Sequence, residues 1–197
     1  MLKRLFRGGS EANEQLTAVV ATILLVLLAA EGATILRIRS LLTVHAFVGM
    51  LLLPVVALKL ASTGWRMLRY YLRAEEYVRR GPPHLVLRVL VAPVVVITTV
   101  LVFATGVALL ALDQTQGTLV GLHKASFVVW LSATSLHVLT RAPTLLRALR
   151  RRVPGLALRI AVAGSVSLAG LVLAMVTLPA ADHLQDAASA HVGFDAR

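Results

Sequence analysis

Five long apolar segments decide what this chain can fold into. They run over residues 16–35, 41–61, 86–112, 119–139 and 156–180. A helix needs roughly 20 apolar residues to cross the hydrocarbon core of a bilayer. Inside that core the backbone polar groups find no water, so each segment is expected to satisfy them internally as a helix. Composition agrees: 58% of the 197 residues are hydrophobic, and the mean hydropathy of +0.82 is too high for a soluble globular domain. The expected fold class is all-α, a polytopic membrane helical bundle with five transmembrane helices in one domain over 1–180. Residues 181–197 read as a mobile polar tail. The first segment carries no small-residue cleavage site before the second, so it reads as a retained helix and not a signal peptide.

The charge distribution orients the bundle. Lys and Arg number 20 against 9 Asp and Glu, a net charge of +11. Such a balance alone would suggest nucleic acid, but the cations sit in particular loops. Lys3, Arg4 and Arg7 precede span one. Arg66, Arg69, Arg73, Arg79 and Arg80 follow span two, and Arg141, Arg147, Arg150, Arg151 and Arg152 follow span four. The opposite side holds Arg37 and Arg39 in a turn, then Asp113, Asp182, Asp186 and Asp195. Positive-inside bias then places the N-terminus in the cytoplasm and the C-terminus outside, in the inner membrane of a bacterial cell. The lipid bilayer is the expected partner, and nucleic acid is not.

Two spans carry imidazoles at a repeating interval. His123 and His137 stand fourteen residues apart on span four, and His45 stands near the start of span two. Fourteen helical residues make close to four turns and rise about 21 Å, so such a pair shares a face. Fourteen residues after His45 the repeat breaks at Lys59. Spans two and four run in the same direction, which puts His45 level with His123 and Lys59 level with His137. Polar side chains at such depths point into the bundle. Two imidazoles facing each other there could supply the axial nitrogens of a b-type haem, so His45 and His123 are the candidate metal ligands. Gly49, one turn below His45, would let a flat macrocycle approach the backbone.

The segments "HAFVGMLLLPVVALKLASTGWR" and "LHKASFVVWLSATSLHVL" carry this ladder. The chain thereby resembles the four-helix core of membrane b-type cytochromes. That family includes the cytochrome b of quinol-oxidising complexes and bacterial cytochrome b membrane anchors. The wording is also similar to actinobacterial membrane proteins of this general type. The resemblance covers spans one to four and makes span five an addition. It implies two haems stacked across the membrane, with Lys59 standing where the family has its fourth histidine. The expectation is one haem b, at His45 and His123, with two if Lys59 and His137 also bind. Lys59 is expected to snorkel to the inner surface, and His137 to be hydrogen-bonded in the bundle.

Glu31 is the sole carboxylate within a span and lies near the depth of His45, so it is a candidate acceptor for an imidazole N–H or for a quinol proton. Lys124 points away from the histidine face, whereas Trp130 shares it midway and reads as core filler or as a group between cofactors. Trp65, Tyr70, Tyr71 and Tyr77 read as interfacial anchors. His84, His183 and His191 read as solvated. Thr98, Thr99, Ser165, Ser167, Gly106, Gly164 and Gly170 are the small residues expected at helix contacts, and Pro54 and Pro93 are expected kinks.

With no cysteine there is no disulfide, no thiolate metal site and no covalent haem attachment. No phosphate-binding loop or dinucleotide fingerprint is present either. The expected function is membrane electron transfer, as the cytochrome component of an oxidoreductase. It would draw on a quinone or on a separate redox partner protein. The alternative is a haem-free helical membrane subunit, scaffold or small-solute carrier.

Overall fold

The computed structural model describes residues 9–79, 87–150 and 154–195. It is all-helical there, with α1 (Gly9–Ile35), α2 (Leu42–Tyr71), the one-turn α3 (Glu75–Val78), α4 (Ala92–Ala111), α5 (Thr118–Arg150) and α6 (Leu156–Asp195). A π-turn over Leu87–Val91 leads into α4. Five of these helices are long and apolar enough to cross a membrane. Pro54 lies inside α2, whereas Pro93 sits in the first turn of α4, where its missing N–H is not needed. Gly117 and Gly155 adopt φ of 91° and 88° just before α5 and α6, a left-handed turn that a Cβ would oppose.

The helices divide into two packed units. α1, α2 and α6 form the first, joined by the most extensive contacts in the molecule, those between α2 and α6. Its core is built from Leu16, Val20 and Leu24 at intervals of four on α1, Leu52 and Val55 on α2, and Ala163 on α6. Gly170 of α6 lies so close to Leu51 of α2 that a Cβ there would run into the Leu51 carbonyl oxygen. Backbone approach of this kind is how membrane helices gain contact without a hydrophobic driving force. The second unit is the α4–α5 hairpin, where Trp130 Nε1 donates to Thr99 Oγ1 at 2.9 Å. Side chains such as Val128, Val129, Leu168 and Val176 are exposed in mid-helix, as lipid-facing positions would be.

Span five is thus integral, not an addition to a four-helix core. The tail expected beyond it also continues as helix to Asp195. Its sequence "AADHLQDAASA" is rich in good helix formers. Gln185 fastens it: the side-chain oxygen accepts from Leu42 N at 2.8 Å and the amide donates to the Arg39 carbonyl at 2.8 Å. One orphan N–H at the start of α2 is satisfied this way. α1 begins earlier than the apolar run, at Gly9, because its polar first turns are buried: Asn13 Nδ2 donates to the Ser62 carbonyl and Gln15 Oε1 accepts from Arg159 Nη1.

Candidate functional site

The polar interior follows the helix register. Along α2 it steps from His45 to Lys59, along α5 from His123 to His137, and along the antiparallel α1 from Glu31 back to Thr17. Each step is fourteen residues, so two tiers about 21 Å apart lie at the seam between the two helix units.

The first tier joins four helices. His45 Nδ1 lies 3.0 Å from Glu31 Oε1 and 3.0 Å from Thr34 Oγ1. The Thr34 hydroxyl donates its own hydrogen to the Glu31 carbonyl at 2.6 Å. Carboxylate and hydroxyl oxygen are therefore both acceptors toward the imidazole, which assigns the proton to Nδ1. His123 repeats the arrangement: its Nδ1 lies 2.9 Å from Thr105 Oγ1, whose hydrogen goes to the Leu101 carbonyl at 2.6 Å. The two rings stand edge to face with centroids 6.4 Å apart and an interplanar angle of 82°. The Glu31 and His45 side chains are 15% and 21% exposed, and Glu31 Oε2 is buried with no hydrogen-bond partner. Two glycines shape the tier. A Cβ at Gly49 would stand 3.6 Å from Glu31 Oε1, and one at Gly106 would stand 3.3 Å from His123 Cε1.

This geometry corrects the haem expectation. His45 Nδ1 is committed to Glu31 Oε1 at 3.0 Å, and the two imidazoles meet each other edge to face. Gly49 opens onto the Glu31 carboxylate, where a macrocycle was expected. Among the described residues no group of three or more His, Cys, Asp or Glu is placed to hold a metal ion. Two surface recesses lie at helix ends, one lined by residues 113–119 and one by Tyr70, Tyr71, Arg73, Glu75, Val78 and Arg79, away from the ladder histidines. Haem b, iron ligation by His45 and His123, and the cytochrome and electron-transport reading built on them are therefore set aside. The feature that misled is the matched depth of the two rings, which serves a hydrogen-bonded cluster as well as an axial pair.

The second tier is different in kind. Lys59 Nζ donates to the Thr17 carbonyl of α1 at 3.0 Å, so it stays in the bundle and does not snorkel. Ser62 and Thr17 hydroxyls bond each other at 3.2 Å beside it. His137 Nδ1 is buried and has no partner, contrary to the expected hydrogen bond, and Thr134 Oγ1 one turn away is likewise unpartnered. Stepping back fourteen residues from Thr105 explains this, because the step ends at Val91, a buried aliphatic in the π-turn. α4 therefore has no hydroxyl to offer there.

The other expected residues are placed as follows. Lys124 is exposed, and Trp130 is tied to Thr99 and packs on Phe127 with centroids 6.0 Å apart. Tyr77 is buried, with the Arg69 guanidinium 6.0 Å above its ring and 6.0 Å above that of Trp65. His183 is exposed, as expected, and its Nδ1 lies 2.9 Å from Asp113 Oδ2. His84, the side chains of His191 and Asp195, and the N-terminal cations lie outside the described residues. Sequence reasoning missed Thr34, Thr105, Thr17 and the buried Arg159–Gln15 bond. The one available signal was the fourteen-residue step from Glu31 to Thr17.

No family model, curated protein or solved structure matches this chain. The fold and the two tiers are thus the basis of the functional reading.

Proposed function

We propose that the chain is a haem-free helical membrane protein of the small-solute carrier class, with Glu31, His45 and His123 as its proton-exchanging site. The observation that carries this reading is the Glu31–His45 contact at 3.0 Å, facing His123 across the seam between two helix units. Ionisable groups at bilayer depth are costly and mark ion or proton pathways. With Nδ1 of each ring engaged, proton exchange falls to the Nε2 atoms. Glu31 would neutralise the imidazolium that forms on His45, and its free Oε2 offers a second acceptor. A seam between two units is also where one body can rock against the other to alternate access. The arginine bias of the loops supports a cytoplasmic N-terminus in a bacterial inner membrane, with the lipid bilayer as the immediate partner.

Proteoliposomes with an entrapped pH dye test the carrier reading. An imposed proton gradient should decay faster with wild type than with Glu31→Gln or in protein-free vesicles. Equal decay in all three would make the chain a scaffold or subunit instead. Orientation is tested by placing one cysteine in this cysteine-free sequence, at the exposed Asp186. A membrane-impermeant maleimide should label it from outside intact cells, and labelling only after permeabilisation would reverse the topology.

A further inference from the structure

The second tier carries a site of its own, independent of the proton-exchange reading. Lys59 and Arg66 stand seven residues apart on α2, two turns along one face. On α5, Thr134, His137 and Arg141 follow at intervals of three and four, again one face. Because His45 meets His123 on these same two parallel helices, the two faces stand at a common level one fourteen-residue step later. The groups are close enough for their charges to interact, Lys59 with Arg66 and Arg141, and His137 with Arg141 and Lys59. Among the described residues no carboxylate pairs with Lys59, Arg66 or Arg141; Glu31 is engaged at the other tier and Glu75 pairs with Arg79. Two buried polar atoms beside these cations, Thr134 Oγ1 and His137 Nδ1, have no partner.

Like charges gathered in low dielectric without a counter-charge are destabilising, and buried polar atoms without partners add to that cost. One ligand answers both. We propose that Lys59, Arg66, Thr134, His137 and Arg141 bind a phosphate-bearing anion between α2 and α5. Its oxygens accept from the two guanidinium forks, from the Lys59 hydrogens left over from the Thr17 carbonyl, and from the Thr134 hydroxyl and the His137 N–H. A planar carboxylate would reach fewer of these donors than a tetrahedral group. The phosphate can come from a phospholipid headgroup, which a basic cluster at this end of a bundle would meet, or from free solution.

The test uses the full chain, delipidated in neutral detergent. Native mass spectrometry and thermal shift follow titration with short-chain phosphatidylglycerol, short-chain phosphatidylcholine and inorganic phosphate. Phosphatidylglycerol should bind and stabilise, and Arg141→Gln and Lys59→Gln should each weaken it by roughly tenfold or more. Thr134→Val, which keeps the shape, should weaken it by less and serves if the charge variants do not fold. Lys124→Gln, an exposed cation on the same helix, should leave it unchanged. Phosphatidylglycerol binding without inorganic phosphate binding identifies the lipid as the source, and binding of both identifies an anion taken from solution as well. The proposal fails if none of the three probes binds. It fails equally if Lys124→Gln weakens binding as much as Arg141→Gln, or if Thr134→Val and both charge variants bind like wild type.

Discussion

The Glu31 tier and the Lys59 tier both draw on α1, α2 and α5 at the same helical step, yet their chemistry is opposite. At the first, carboxylate, hydroxyls and imidazoles bond one another across α1, α2, α4 and α5, with Glu31 Oε2 left over. At the second, cations converge, and Lys59 Nζ donates to the Thr17 carbonyl. What separates the tiers is the pair of flanking helices and not the histidine helices. α1 offers Glu31 at one level and Thr17 at the other, and α4 with the π-turn before it offers Thr105 at one and Val91 at the other. A periodic pattern on α2 and α5 therefore fixes where polar groups sit, while their neighbours fix what those groups do.

The largest expected effect removes the comparison altogether. Gly170→Val would drive a side chain into the Leu51 carbonyl and push α6 off α2, the helix common to both tiers. A loss of about 3 kcal/mol is expected from such overpacking, read as an earlier midpoint in detergent-induced unfolding followed by circular dichroism. Stability within 0.5 kcal/mol of wild type, the ordinary scatter of surface changes, would mean the contact is not tight.

Thr105→Val makes the first tier resemble the second, since it strips His123 Nδ1 of its partner. The expected cost is about 2 kcal/mol, that of a buried polar group left unpaired. Trp130→Phe acts between the tiers and should cost less, about 1 kcal/mol, because Thr99 keeps its own bond to the Val95 carbonyl. If Trp130→Phe proves the more damaging of the two, the hydrogen bond at His123 is not what holds the hairpin to its register. The smallest effect runs the other way. Val91→Thr offers the second tier the hydroxyl that α4 lacks there, and should stabilise by about 0.5 kcal/mol. A double variant with His137→Ala should abolish that gain.

Much of the architecture was legible in the apolar runs. The number of spans, their alternation in direction and the level match of His45 with His123 all follow from segment length and the helical repeat. Glu31 beside His45 was also legible, because a lone carboxylate at that depth needs a partner. The ends of the helices were not. α1, α5 and α6 continue past their apolar stretches through polar turns such as Asn13–Gln15 and Asp182–Gln185, where burial and local bonds replace hydrophobicity as the signal. Thr34 and Thr105 were missed because a threonine bonded back to its own helix cannot be told by sequence from one that also holds a ring. The haem expectation went astray at the same point. Spacing locates two imidazoles on facing helices but carries no information about which third helix brings a carboxylate to one of them.

The Gln185 clamp bears on how the molecule is assembled during synthesis. It joins the first turn of α2 to a residue 143 positions further along the chain. Before α6 is made, α2 can already pack on α1, where His45 reaches Glu31 and Lys59 reaches the Thr17 carbonyl, so the Leu42 N–H is left to be satisfied last, by a residue of α6.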